Sequence, residues 1–162
     1  MNIVINILEY MNENKALLII TGFLFIVAVW LLSRITLLRR KVRRTKLKKI
    51  DAMTGTEFEL FLKDLFTAKG YSVKHLGKSG DFGGDLLIRH GTWTEVVQAK
   101  RYASNVGVKA IQEVFAAKSY YKARKATVVT NAYFTPAAKK LATKLKVRLV
   151  DRADLIQYMK SI

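Results

Sequence analysis

An uncharged, almost wholly apolar segment constrains this chain more than any other feature. It covers residues 16–33, ALLIITGFLFIVAVWLLS, between Lys15 and Arg34. A helix needs roughly 20 apolar residues to cross the hydrocarbon core of a bilayer, and apolar residues after Arg34 can lengthen the segment. A buried helix of a soluble domain would normally keep a polar face, and this segment has none. The pattern predicts a transmembrane helix over residues 16–38, after a short N-terminal segment, residues 1–15.

A cleavable signal peptide is the main alternative to an anchor. Such a peptide begins with a basic region and ends at a small-residue cleavage site. Here Glu9 and Glu13 precede the segment, and it ends in VWLLSR. The following residues, 34–49, hold nine Lys/Arg and no acid. Because basic flanks stay on the cytoplasmic side, we expect a single-pass protein of the inner or plasma membrane, with its N-terminus outside and residues 34–162 in the cytoplasm.

Positive charge extends well beyond the segment. The formal net charge is +17, and residues 39–52 form a basic juxtamembrane neck. The neck can serve as a topology determinant, as a site for anionic lipid headgroups at about 1 kcal/mol per basic residue, or as a site for nucleic acid. Residues 50–162 still hold 19 Lys/Arg against 10 Asp/Glu. This excess favours a polyanionic partner. The absence of cysteine excludes disulfides, thiolate metal sites and a cysteine nucleophile.

Residues 53–162 have the pattern of a soluble α/β domain. Thr56 and Glu59 have capping-box spacing, and apolar residues then recur at helical intervals. DLLIRH and TWTEVVQAK predict two strands joined by a turn at His90-Gly91. The predicted order is helix, three-strand meander, helix, strand, and then helix, strand and helix.

Three polar side chains are expected to converge at one end of this hairpin. Gln98 and Lys100 share a face of their strand because side chains alternate with period two. Asp85 begins the preceding strand, and in an antiparallel pair the start of one strand faces the end of its partner. Asp85 should therefore lie close to Gln98 and Lys100, beside a glycine-rich loop.

This arrangement suits a magnesium site, because Mg²⁺ prefers oxygen ligands. Asp85 offers a carboxylate, Gln98 an amide oxygen and Ala99 a carbonyl. Lys100 would lie beside a bound water, and Glu57 of the first helix would complete the site directly or through a water. A surface hairpin with a Lys–Asp ion pair is the other interpretation, because the pattern taken alone often occurs by chance.

Four segments resemble the catalytic domain of Mrr-type restriction endonucleases, in the PD-(D/E)xK nuclease superfamily. They are TGTEFELFLKDLFTAKGYSV, SGDFGGDLLI, VVQAKRYASNVGVKAIQEV and VVTNAYFTPAAKKLA, and the similarity covers about residues 53–155. The resemblance implies a restriction-endonuclease-like α/β core. It also implies a Mg²⁺-dependent DNA endonuclease, with Mn²⁺ as a substitute, often directed at modified foreign DNA.

The resemblance also assigns residues. Asp85 matches the metal-binding aspartate, Lys100 the catalytic lysine and Glu57 the acid of the first helix. Gln98 stands where the wider superfamily carries Glu or Asp, although glutamine is usual in the Mrr branch. A neutral ligand should bind the cation more weakly unless Glu57 or Asp81 compensates.

Further residues are candidates for binding DNA. Arg101 and Tyr102 follow the lysine and suit a phosphate contact and a stacking ring. The other candidates are Lys78 and Ser79 in the loop and Gln112 on the second helix, with Asp81 as an outer ligand of the metal.

The sequence leaves three functional classes open. The leading one is a membrane-anchored endonuclease of restriction, defence or DNA-processing type with little sequence preference, or one that recognises DNA structure. We expect a homodimer, because cutting both strands usually requires two sites. The alternative is a catalytically inactive DNA-binding module that tethers DNA to the membrane. A structural membrane protein with a lipid-binding neck is the third, and it leaves the hairpin residues unexplained.

Overall fold

The apolar segment lies within one long helix. Helix α1 spans Lys15–Arg44 in the computed structural model, which describes residues 14–44, 47–77 and 82–162. Its part Lys15–Arg40 is long and apolar enough to cross a membrane, and none of its most apolar stretch is buried within the chain. The hydroxyls of Thr21 and Ser33 donate to main-chain carbonyls one turn earlier, at 2.9 and 2.8 Å. These polar groups are therefore satisfied within the helix, as a bilayer requires.

The chain divides into two compact units, of which the second is Leu38–Ile162. Its order of elements confirms the predicted fold class and adds one short helix, α2, which was not predicted. After α1 the elements are α2 (Leu47–Asp51), α3 (Gly55–Ala68), β1 (Ser72–His75), β2 (Leu86–His90), β3 (Trp93–Lys100), α4 (Val108–Tyr120), β4 (Lys125–Thr130), α5 (Pro136–Leu145), β5 (Arg148–Val150) and α6 (Arg152–Lys160).

The strands form one five-stranded sheet in the order β1-β2-β3-β4-β5. β1, β2 and β3 are antiparallel neighbours, whereas β4 pairs in parallel with both β3 and β5. Val97 belongs to a buried cluster with α3 on one face of the sheet. Val96 belongs to a second cluster with α4 and α5 on the other face. Alternate side chains of β3 therefore pack into two different cores, because both faces of the strand are covered.

The start of α3 differs from the predicted one. The N-cap is Thr54, whose hydroxyl accepts from the Glu57 amide at 3.2 Å, while Glu57 Oε2 accepts from the Thr54 amide at 2.7 Å. The predicted Thr56–Glu59 capping box is therefore wrong. Both pairs have the same T-x-x-E spacing, so the pattern alone cannot choose between them. Thr54 is the threonine with extended backbone directly before the helix, and this conformation decides the cap.

Candidate active site

Asp85 and Gln98 meet where the hairpin opens. Leu86 pairs with Val97 across β2 and β3, and the Asp85 amide continues this pairing by donating to the Val97 carbonyl at 2.8 Å. Asp85 therefore faces Gln98. Gln98 Nε2 donates to Asp85 Oδ2 at 2.8 Å, and the Ala99 amide donates to the same oxygen at 2.6 Å. The predicted convergence of these two side chains is confirmed.

Both side chains are buried, with Asp85 6% and Gln98 5% exposed. The interpretation of the hairpin end as an exposed surface is therefore wrong for these two residues. A carboxylate rarely lies at such depth without charge partners or hydrogen bonds. The site is therefore a buried polar centre and not an ordinary surface ion pair.

Lys100 lies two residues beyond Gln98, on the same face of β3. Its Nζ is 2.7 Å from Glu113 Oε2 on α4. The sequence analysis did not identify Glu113 and selected Gln112 instead. Gln112 is exposed on α4, whereas Glu113 adjoins the buried Val114. Its place next to Val114 in the sequence could not identify it, because neighbouring residues of a helix point in different directions.

Two glycines allow the loop before Asp85 to pack against its neighbours. A Cβ on Gly83 would lie 2.7 Å from the Glu113 carbonyl oxygen, and one on Gly84 would lie 2.5 Å from Val96 Cγ2. Gly83 also has a φ of +86°, which favours glycine. Nothing larger than hydrogen fits at either position, so the loop can deliver Asp85 to the end of β3.

Glu57 lies on α3, whose core cluster is on the face of the sheet opposite α4. Its side chain is exposed and accepts from the Thr54 amide, and this hydrogen bond lowers the pKa of Glu57. Within residues 14–44, 47–77 and 82–162, no three His, Cys, Asp or Glu side chains cluster as a metal site. The role of Glu57 as a ligand stays a prediction. The predicted residues Lys78, Ser79 and Asp81 lie outside the described residues.

An unsatisfied oxygen tests whether a cation fits this site. Gln98 Oε1 is buried and has no hydrogen-bond partner in the described part of the chain. Such an oxygen costs about 1–3 kcal/mol unless a ligand completes it. It belongs to the amide group whose nitrogen donates to the Asp85 carboxylate, so an amide oxygen and a carboxylate, both ligands that Mg²⁺ accepts, are carried by contacting side chains. Asp85 and Gln98 therefore fit a hard divalent cation.

A cavity of about 360 Å³ lies at the ends of β3 and β4, among the segments that follow these strands. It contains both predicted DNA-binding residues that follow the lysine. Its lining comprises Asp51, Arg101, Tyr102, Ala103, Asn105, Asn131, Ala132, Tyr133 and Arg152.

One wall of the cavity is a hydrogen-bonded network around Asn131. Asn131 Oδ1 accepts from the Tyr102 amide at 2.9 Å, and Asn131 Nδ2 donates to Asp51 Oδ1 at 3.0 Å. Arg152 donates to both oxygens of Asp51, at 2.7 and 2.8 Å. This arginine, with Arg101 acting at longer range, lowers the pKa of Asp51 to about 2. Asp51 is therefore ionised at neutral pH.

Comparison with known proteins assigns the second unit, Leu38–Ile162, to a protein family. The family model for the Mrr catalytic domain, described as a restriction endonuclease, matches residues 50–159. The Type IV methyl-directed restriction enzyme EcoKMrr of Escherichia coli (strain K12) is 28% identical over 131 residues. The match covers 75% of this chain and 43% of that enzyme, so the chain spans less than half the length of this curated relative.

Two solved structures resemble this chain, and the first of them shows a shared fold. The crystal structure of the protein of unknown function AF1548 matches with a TM-score of 0.50 and 15% identity, over 58% of this chain and 56% of that one. The MspJI restriction endonuclease in complex with a 27-mer oligonucleotide matches with a TM-score of 0.45 and 23% identity, over 62% and 26%. The family model covers more than half of the sequence, and on that ground the chain belongs to the Mrr-type restriction endonuclease family.

Proposed function

We propose that this protein is a DNA endonuclease that hydrolyses phosphodiester bonds with Mg²⁺, for which Mn²⁺ can substitute. The observation that carries the proposal is the buried contact between Asp85 and Gln98, with the unsatisfied oxygen of Gln98 beside it. Lys100 lies on the same strand face. Membership of a restriction endonuclease family makes DNA the expected substrate.

Asp85, Gln98 and the Ala99 carbonyl would hold the cation. When bound, it supplies Lewis-acid polarisation of the phosphate and lowers the pKa of a water. Asp85 is held in place by the Gln98 amide group and the Ala99 amide. Because Gln98 is neutral, Asp85 supplies the negative charge of this pair.

Lys100 would stabilise the charge that develops on the phosphate as a water oxygen bonds to phosphorus and one ester bond breaks. The proton released by the water goes to solvent, and the leaving oxygen takes one up. Glu113 positions the Lys100 ammonium and is therefore a positioning residue. Glu57 would assist from α3 through a water.

DNA binding would come mainly from phosphate contacts. Arg101, Lys78, Ser79 and Gln112 are the candidates, with Tyr102 as a stacking ring and Asp81 as an outer ligand of the metal. Contacts to phosphate give affinity without sequence information. We therefore propose a nuclease of restriction, defence or DNA-processing type that has little sequence preference or is directed by DNA structure.

We propose further that the protein is anchored in the inner or plasma membrane. Residues 16–38 would span the bilayer once, 39–52 would form the basic neck, and 53–162 would form the cytoplasmic nuclease domain, with the N-terminus outside. The apolar length of α1 and its internally satisfied hydroxyls support this arrangement. A homodimer would supply the second site that is needed to cut both strands.

A DNA-tethering module without catalysis is the second candidate. Two observations favour it: Gln98 brings no charge to the site, and Lys100 is ion-paired with Glu113. Such a module would bind DNA with a steep salt dependence and release no product.

The test is cleavage of supercoiled plasmid by the full chain in detergent, with Mg²⁺, Mn²⁺ or EDTA. We expect nicked and linear product with either metal, and none with EDTA or from Lys100→Ala. Lys144→Ala removes the same charge from an exposed position on α5 and should cut normally. Folded wild-type protein that binds DNA but gives no product with either metal would establish the tethering module instead.

A further inference from the structure

We infer that the cavity at the ends of β3 and β4 binds one unpaired nucleotide of the bound DNA. This inference rests on the proposed function and specifies its substrate. Arg101 and Tyr102 line the cavity and directly follow Lys100 in the chain. The segment that lines the cavity is therefore continuous with the strand end that carries Lys100.

The volume and the aromatic lining of the cavity suit a base and its sugar. Its volume of about 360 Å³ lies within the range of pockets that bind small organic molecules. Tyr102 and Tyr133 line it from the segments after β3 and β4, and they are 45% and 49% exposed. Exposed tyrosines on loops beside a nuclease site are suited to stacking on a base, because every base presents a π-face.

The charges of the cavity select a single nucleotide over a run of phosphates. Arg152 is neutralised by Asp51 through two hydrogen bonds. Within the described residues Arg101 forms no ion pair, so Asp51, Arg152 and Arg101 together carry about one positive charge. That charge matches the single phosphate of one nucleotide.

The Asp51 carboxylate can also form a hydrogen bond with the base of the ligand. Its side chain is 38% exposed, so it can accept a hydrogen bond from the exocyclic amino group of a base. The Asn105 side chain on the same lining is exposed and can pair with other groups on the base edge. A base whose face stacks on Tyr102 or Tyr133 must have left the base stack of a duplex, and with it its Watson–Crick partner. The ligand is therefore an unpaired nucleotide.

The hydrogen-bond network behind the lining orders the wall of the cavity before a ligand binds. Asn131 is buried and joins Tyr102 to Asp51, while Arg152 Nη1 also donates to the Asn131 carbonyl at 2.8 Å. Since these bonds already fix the wall, little ordering is required when a nucleotide enters. We therefore expect the protein to favour DNA with an unpaired nucleotide, such as a bulge or a mismatch, over fully paired DNA.

The experiment measures binding of the full chain in detergent to fluorescent DNA hairpins by anisotropy, in EDTA so that nothing is cut. One hairpin is fully paired and the other contains a single-base bulge. We expect about tenfold tighter binding to the bulged DNA. Tyr102→Ala and Tyr133→Ala should each remove most of this preference, and Tyr133→Ala should leave the affinity for paired DNA unchanged. Tyr102→Phe should keep the preference, because stacking requires the ring and not the hydroxyl.

Phe115→Ala is the matched control, since it removes an exposed aromatic ring of α4 outside the cavity lining. Equal affinity for both hairpins, or a preference that survives both tyrosine-to-alanine variants, would overturn the inference. Titration with deoxynucleoside monophosphates tests whether the ligand of the cavity is a free nucleotide or a nucleotide within a DNA strand. Saturation below millimolar concentration would overturn the assignment to a DNA strand.

The two proposals fail in different ways. A protein that prefers bulged DNA but never cuts plasmid would lose the nuclease function and keep this cavity. A protein that cuts plasmid with Mg²⁺ but binds both hairpins equally would keep the nuclease function and lose the cavity ligand.

Discussion

The Lys100 ammonium and the Glu113 carboxylate are 2.7 Å apart, so an acid from α4 holds the candidate catalytic lysine of β3. The contact joins the strand that carries Gln98 to the helix against which the glycine loop packs. The position of Lys100 therefore depends on how α4 docks on the sheet.

Replacing Glu113 with Gln should slow plasmid cleavage about 10–100-fold, the usual range for a group that orients a functional residue. DNA affinity and the Mg²⁺ concentration for half-maximal rate should stay unchanged, because Glu113 acts on the lysine. Glu113→Asp should recover part of the rate. A large rise in the required Mg²⁺ concentration would show instead that Glu113 contacts the metal.

Replacing Gln98 with Glu should make stability depend on the metal. Two buried carboxylates would then meet where an amide now donates to Asp85 at 2.8 Å, at a cost of about 1–3 kcal/mol in EDTA. Mg²⁺ should recover this loss, so the shift in melting temperature on adding Mg²⁺ should exceed that of the wild type. Gln112→Glu makes the same change at an exposed position and should leave that shift unaltered. Equal metal-induced shifts in wild type and Gln98→Glu would argue against a cation at Asp85.

Replacing Gly84 with Ala should lower the free energy of unfolding by about 1–3 kcal/mol, because the new Cβ would lie 2.5 Å from Val96 Cγ2. Urea denaturation measures the loss. Gly55→Ala is the matched control, since a Cβ there meets nothing within 4 Å. Because Val96→Ala removes the clashing methyl, the double variant should be more stable than the sum of the two single effects predicts. Strict additivity would contradict the proposed clash.

Replacing Asp51 with Asn should destabilise the protein in a pH-dependent way. The pKa of Asp51 falls from 3.8 to about 2 because Arg152 donates to its carboxylate. A lowered pKa gives stability that is present above pH 4 and is lost as the pH falls towards 2. The pair is partly exposed, so we expect about 1 kcal/mol or less at pH 7.

Urea midpoints of wild type and Asp51→Asn should therefore differ by a constant amount from pH 5 to 8 and converge below pH 4. Arg152→Gln should show the same convergence, because it removes the other partner. A difference that persists undiminished at pH 2 would assign the effect to packing and not to the charge of Asp51.

The Asp85–Gln98 contact could be predicted from sequence because it depends on local geometry. Strand alternation and a two-residue connection between β2 and β3 fix which side chains oppose each other. The same local logic applies to Thr135, which is the N-cap of α5 directly before Pro136.

The remaining contacts depend on how separate elements dock. Glu113 reaches Lys100 only because α4 packs on one particular face of β3, and helical periodicity does not reveal that face to a reader of the sequence. Arg152 and Asp51 are 101 residues apart. No local pattern links residues at that separation, so neither the cavity nor its network could be predicted.

The Asp51–Arg152 pair also has a consequence for how this domain can be reused. It ties the segment that enters the sheet domain to the start of its last helix. The segment that leads into the domain and the start of its last helix therefore lie side by side, and adjoining segments of this kind favour circular permutation and insertion into unrelated hosts. A nuclease domain that is closed in this way can follow a different preceding segment without disturbance of its sheet. The preceding segment and the residues of the active site can therefore change independently.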